Sequence, residues 1–344
     1  MRLIERVWRG DDVFGRAARL ALAPIEGAFR AVTATRGWMY DHSLLRVTAS
    51  PIPTVSVGNL SVGGTGKTPF AAWLAFRLSQ LGARPAVVLR GYGGDEPLVH
   101  ARLNPGIPVV IERRRADGIK RAAELGATVA VLDDAFQHRA ASRSMDVALV
   151  AAEQWGRSVR VLPAGPWREP LSSLRRAALV VITHKGAEAS RLREMRSAVN
   201  EVAPNVPQAV VHFRLADLRN ARKGSDEETL PLGALMGLPV VAIAGLADPE
   251  AFFRQLSDAG ATVTSYAFPD HYHFSKSDIS RILNTAGSPE ATFVCTLKDA
   301  VKLSTSWPPT APPLWYVSQA LEVEEGGDAL EKLLMQLTPT EGQS

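Results

Sequence analysis

The sequence predicts an α/β protein with a mostly parallel sheet, and three observations carry that expectation. Short apolar runs of strand length alternate with stretches of helical periodicity along the chain. One such run, centred on Val55 and Val57, leads through glycines into an apolar helical pattern at Phe70, Leu74, Phe76 and Leu78. Another, over 127–132, ends in two acids, Asp133 and Asp134. Buried strands joined by helices are the signature of a parallel sheet covered on both faces.

The glycine-rich segment between the first strand and its helix, Gly63-Gly64-Thr65-Gly66-Lys67-Thr68, reads as a phosphate-binding loop. Glycines let the backbone curl around an anion, and successive amide hydrogens with the helix N-terminus supply oriented positive charge. In that setting Lys67 reaches the β- and γ-phosphates, and the Thr68 hydroxyl is a magnesium ligand. The usual spacing asks for glycine five residues before Gly66, where this chain has Ser61. Pro69 is tolerated because amides in the first helical turn have no intrahelical partner.

The remaining elements follow in order. Strands are expected at 85–89, 107–111, 127–132, 147–150 and 178–183, with a helix over 116–125 and a sharp polar turn over 90–97. The proline-rich run 162–170 reads as a rigid loop. Beyond a boundary near 186–207, residues 209–213 and 238–244 start a second α/β unit. It continues through a helix bearing Phe252, Phe253 and Leu256 and strands at 262–267 and 292–296. Residues 220–228 are polar and expected to be exposed, and the closing proline-rich and acidic stretches to be peripheral. The expected division is an N-terminal helical, membrane-facing region at 1–46, a P-loop core of the nucleoside triphosphate hydrolase type at 47–207, and a smaller α/β domain at 208–344.

Composition narrows the possibilities. Hydrophobic residues make up 46% of the 344 and charged residues 22%, which is globular and excludes extended disorder. A net charge of +4 with no dense basic stripe gives no footprint for nucleic acid. Cys295 is the only cysteine, so an intrachain disulfide and a thiolate-rich metal site are excluded, which suits a reducing compartment. The first residues lack an export signal, and no apolar run is long enough to span a bilayer. Residues 13–45 instead mix Phe14, Leu20, Ile25, Phe29, Val32 and Trp38 with arginines, and the first fifty residues carry a net +3. Such a segment suits either an anionic membrane interface or a helical pair covering the core, with Pro24 expected to divide it.

Chemistry-bearing residues cluster at three further places. Asp133 and Asp134 stand where a carboxylate at a strand end holds hydrated magnesium. Asp95 and Glu96, presented by Pro97, offer either a base for a substrate hydroxyl or further metal ligation. In Phe268-Pro269-Asp270-His271-Tyr272-His273-Phe274, His271 or His273 can orient a carboxylate or exchange a proton, and Lys298 can reach the same cleft.

Together these motifs resemble the tetraacyldisaccharide 4'-kinase family of lipid A synthesis. The resemblance runs through Ser56 to Pro69, Arg90-Gly91-Tyr92-Gly93, Gly94-Asp95-Glu96-Pro97, Asp133-Asp134-Ala135-Phe136-Gln137-His138 and Leu162 to Pro170. It continues through Phe268 to Phe274 and Lys298-Asp299-Ala300-Val301-Lys302. It implies ATP- and Mg2+-dependent phosphorylation of the 4'-hydroxyl of a tetraacylated glucosamine disaccharide 1-phosphate. The expected location is the cytoplasmic face of a Gram-negative inner membrane, held peripherally and without an obligate protein partner. It also implies two α/β domains joined by a two-stranded linker, Asp95 as base paired with His271, and Asp133 and Asp134 beside the metal. Three departures stand out: the segment usual before Gly94 is nearly absent, Ala135 replaces a more usual glycine, and Leu297 a more usual glutamate. A P-loop kinase for a soluble sugar or cofactor precursor, and a nucleotide-dependent switch, are the alternatives that keep the same phosphate loop.

Overall fold

The computed structural model describes residues 3–91, 94–156, 159–222, 228–246, 248–285 and 291–338. Tyr92 and Gly93 of the expected 90–97 turn, and 223–227 of the expected polar segment, lie outside them. Contacts divide the chain into two compact units that do not follow a single cut. The first contains Met1–Gly91, Asn104–Phe213 and Leu321–Ser344, and the second Tyr92–Leu103 and Arg214–Ala320.

In the first unit, β1 (Thr54–Asn59), β2 (Pro85–Leu89), β3 (Val109–Ile111), β4 (Val129–Asp133), β5 (Met145–Ala151), β6 (Leu179–His184) and the start of β7 (Gln208–Asn220) form a parallel sheet in the order β7-β6-β5-β1-β4-β2-β3. Every residue of β1, β2, β4 and β6 is buried, as expected for strands covered on both faces. Central β1 pairs with β4 and with β5, setting Val57 opposite both Asp133 and Val147. The loop that follows β1 and the acids that end β4 therefore emerge at the same edge, where open parallel sheets bind ligands.

On one face of this sheet Phe70, Leu74 and Leu78 of the helix Lys67–Gln80 share a core with Leu330, Leu333, Leu334 and Leu337. The closing stretch is thus not peripheral. Its leucines fall at i, i+3, i+4 and i+7 on the helix Gly327–Leu337, a single apolar stripe that must be buried, and Arg77 pairs with Glu331 at 2.8 Å beside it. Phe136, Trp155, Trp167, Leu174, Met195 and Val199 fill the other face.

Pro24 does not divide the N-terminal segment: one helix, Val13–Asp41, runs through it. The lost main-chain hydrogen bond is outweighed by anchors on either side. Asp12 caps the amide of Gly15 at 2.9 Å, and buried Glu26 accepts from Arg160 at 2.9 Å and from the Val161 amide at 3.0 Å.

In the second unit, β8 (Thr229–Pro231) pairs antiparallel with the end of β7, while β9 (Pro239–Ala244), β10 (Thr262–Ala267), β11 (Thr292–Thr296) and β12 (Leu314–Glu325) run parallel in the order β10-β9-β11-β12. Phe252, Phe253 and Leu256 pack on one face with Val294 and Trp315, and Phe268, Ile282, Phe293 and Trp307 on the other. Asn220, expected to be exposed, is buried, because its carbonyl accepts from Arg102 at 2.7 Å and its amide donates to Glu228. The 90–97 turn also ends earlier than expected: Glu96 and Pro97 open a helix, Glu96–Leu103, since proline is preorganised for the first turn.

Candidate functional site

The phosphate loop of the first unit is built by contacts that explain its sequence. Ser61, in the place of a usual glycine, forms an isolated bridge with Trp167, and its hydroxyl donates to Gln154 at 2.5 Å. It sits in bridged, buried backbone, and its side chain does work that glycine cannot. The tight turn comes later. Gly66 has φ 83°, and a Cβ there would lie 2.5 Å from the Phe213 ring, so glycine is required on two counts. Gly63 also has positive φ, Gly64 is exposed, and the Thr65 carbonyl accepts from the Thr183 hydroxyl at 3.0 Å. Lys67 and Thr68 then open the helix.

At the end of β4 the two acids differ. Asp133 is buried, and its carbonyl accepts from the guanidinium of Arg115 at 2.5 Å. Asp134 has φ 49° and is half-exposed, 3.7 Å from Lys67 Nζ and 3.2 Å from Arg168 Nη1. Arg168 is fixed by its own backbone, whose amide donates to the Leu60 carbonyl at 2.6 Å, while the Val62 amide donates to Pro166 at 2.7 Å. The 162–170 loop is thus strapped to the phosphate loop. Arg115 is buried, and burial lowers its pKa to about 10 against the pull of Asp133 and Asp134. His138 is drawn down to about 4, first by burial and then by Arg115 and Arg90. Thr68, Asp133 and Asp134 offer oxygen donors only, a set that fits a hard divalent cation.

The second unit gathers Asp95, Glu96, His271 and Lys298. Asp95 is 2% exposed at its side chain, and His271 Nδ1 lies 3.1 Å from its Oδ1. Lys298 Nζ stands 3.8 Å from both Asp95 and Glu96, and Lys302 Nζ 3.1 Å from Asp95 Oδ2. His271 holds φ 58°, a left-handed conformation that turns the loop after β10, while Phe268, Tyr272 and Phe274 of the same loop pack on one another. Both histidines of the loop are exposed, and His271 is the imidazole that lies against Asp95. Burial pushes the Asp95 pKa up, but Lys298, Lys302 and His271 outweigh it and hold the carboxyl below its ordinary value. Asp95, Glu96 and His271 are close enough to ligate a metal, but the two ammonium groups already supply the positive charge a cation would bring.

Of the residues expected from the sequence, the structure brings Lys67 to Asp134 and brings Glu96, His271 and Lys298 to Asp95; Arg168, Arg115 and Lys302 join these groups without having been expected there. The i, i+4 spacing of Lys298 and Lys302 is the signal that would have paired the lysines. Arg168 and Arg115 reach the site through tertiary contacts that no local spacing announces.

The model of the family described as Tetraacyldisaccharide-1-P 4'-kinase matches residues 18–94 and 93–338. The Tetraacyldisaccharide 4'-kinase of Anaeromyxobacter dehalogenans (strain 2CP-C) is 38% identical over 96% of this chain and 94% of its own length. That of Syntrophotalea carbinolica is 36% identical over 91% and 90%. The crystal structure of LpxK from Aquifex aeolicus in complex with ATP superposes with a TM-score of 0.74 at 28% identity, covering 93% of this chain and 99% of that one. With a match over nearly its whole length, the chain belongs to the tetraacyldisaccharide-1-P 4'-kinase family.

Proposed function

We propose that the protein transfers the γ-phosphoryl group of ATP to the 4'-hydroxyl of a tetraacylated glucosamine disaccharide 1-phosphate. The observation that carries the chemistry is Asp95: a carboxylate 2% exposed, held ionised by two lysines and touched by a histidine, inside a chain that matches the kinase family over residues 18–338. Asp95 accepts the hydroxyl proton as the sugar oxygen attacks the γ-phosphorus, the bond from that phosphorus to the β,γ-bridging oxygen breaks, and ADP leaves. His271 orients the carboxylate. The amides of Gly63 to Gly66 and the Lys67 ammonium bind the phosphates and neutralise charge that grows during transfer. Thr68, Asp133 and Asp134 would hold a magnesium ion, which when bound would supply further neutralisation of the phosphate oxygens.

The acceptor is both apolar and anionic, and the helix Val13–Asp41 presents a surface complementary to both properties. Phe14, Leu20, Ile25, Val32 and Trp38 are exposed along it among arginines. No helix among the described residues is long and apolar enough to cross a membrane. The reading is therefore of a peripheral enzyme that works at an anionic cytoplasmic membrane face.

The direct test incubates the purified protein with ATP, magnesium and the acylated disaccharide 1-phosphate in mixed micelles. One added phosphoryl group, located at the 4'-position by mass and NMR, is the expected product. ATP hydrolysis without that product would exclude the assignment.

A further inference from the structure

The Asp95 carboxylate sits at the end of a charge chain. Lys302 Nζ is 3.1 Å from Asp95 Oδ2 and 3.3 Å from Asp299 Oδ1. Asp299 is fully buried and fixed by its other oxygen, which accepts from the Gly245 amide at 2.9 Å and the Thr296 hydroxyl at 2.7 Å. The fit at Gly245 is close, for a Cβ there would lie 2.8 Å from Asp299 Oδ1. Asp95 itself has no such fixing. Among the described residues no backbone amide or hydroxyl donates to either of its oxygens, so ionic partners alone hold its rotamer.

Those partners are unequal. Lys298, on the same helix Leu297–Leu303, is 28% exposed, spans Asp95 and Glu96 at 3.8 Å, and among the described residues is paired with no second buried acid behind it. His271 is 45% exposed. Lys302 is 12% exposed, shielded by the Phe274 ring 5.6 Å from its Nζ, and anchored from behind. Among the described residues the groups that face Asp95 are therefore His271 from the loop after β10, Lys298 and Lys302 from the helix, and Glu96 from its own helix, with Asp299 behind Lys302 and Asp270 beside His271.

We propose that Lys302 is a positioning residue for the phosphoryl transfer: anchored by Asp299, its ammonium fixes the Asp95 carboxylate in place and keeps it ionised to receive the hydroxyl proton. This rests on the reading of Asp95 as the base. A lone exposed lysine swings with solvent, whereas a buried acid–lysine–acid chain holds the middle charge at one point. Asp299 thereby acts at one remove from the reaction, through Lys302.

The test measures kcat, both KM values and the pH profile of kcat/KM in the full chain. Lys302→Met is expected to lower kcat about ten- to a hundredfold through misplacement of the base. The KM for ATP stays within about twofold, and the acid limb of kcat/KM moves up by about one pH unit as an attracting charge is lost. Lys302→Arg recovers most of the rate and returns the limb. Because Lys302→Met leaves Asp299 buried without its cation, the double variant Lys302→Met/Asp299→Asn removes both charges, guards against misfolding and is expected to shift the limb in the same direction by less, since the Asp299 charge that disfavours ionised Asp95 is also gone. Parent kcat and an unmoved acid limb in a folded single or double variant would overturn the inference. Asp95→Asn separates the two readings. Normal turnover in that variant defeats the base itself, whereas a dead Asp95→Asn beside unchanged Lys302 variants defeats only the role of Lys302.

Discussion

Asp134 in the first unit and Asp95 in the second are both aspartates with a lysine nearby, yet they are held in opposite ways. Asp134 is 42% exposed, and its partners, Lys67 and Arg168, are the cations best placed to turn toward a phosphate. Asp95 is 2% exposed, and its closest lysine is locked to a second buried acid. An exposed pair in solvent is weak and exchangeable, whereas a buried one is costly to break. On the proposed reading the contrast separates two tasks: handing cations over to an arriving nucleotide, and presenting a fixed base to an arriving hydroxyl.

The comparison can be broken most severely at Asp95. Asp95→Asn is expected to lower kcat by about 10³-fold, within the range of general-base removal, while nucleotide affinity measured by calorimetry stays unchanged. A fall in affinity equal to the fall in rate would erase the distinction. Lys67→Met should instead weaken nucleotide binding and lower kcat/KM for ATP by about 10²-fold, since it removes a donor to the charged phosphates. Arg168→Ala, an exchangeable partner, is expected to cost only about tenfold in kcat/KM for ATP, with little change in thermal stability. The smallest effect is on stability. His138, lowered to about 4 from an ordinary 6.5, is neutral in the folded state where an unfolded chain would bind a proton. Its stabilising effect is therefore complete above pH 6.5 and lost as the pH falls toward 4, so denaturant midpoints across that window should flatten in His138→Gln.

How far this arrangement was legible depended on whether a residue acts through its neighbours in sequence. The phosphate loop and the acids at the end of β4 were readable because strand, turn and helix there are consecutive, and spacing alone sets where the groups emerge. The Ser61 departure lost its meaning once Ser61 proved to lie in a bridge to Trp167, where no glycine is needed. The helix through Pro24 was hidden because Glu26 owes its anchor to Arg160 and Val161, far along the chain. Leu330, Leu333, Leu334 and Leu337 showed the right stripe, but acidic neighbours masked it. Lys302 was visible as a letter, and its role came only from the helix face it shares with Lys298 and from Asp299 behind it.

The closing helix Gly327–Leu337 has one more consequence, for how the chain is made. Its leucines complete the core beneath the helix Lys67–Gln80, although every residue of the other unit is synthesised in between. During translation the nucleotide-binding unit is begun first and finished last, and until residues 330–337 emerge, Phe70, Leu74 and Leu78 lack part of their cover. The long intervening segment must close before those contacts form, which makes the late stage slow and exposes apolar surface to aggregation. A ribosome-held chain that ends before residue 327 and is tethered through a linker filling the exit tunnel should therefore carry a second unit able to pack and a first unit still open to protease.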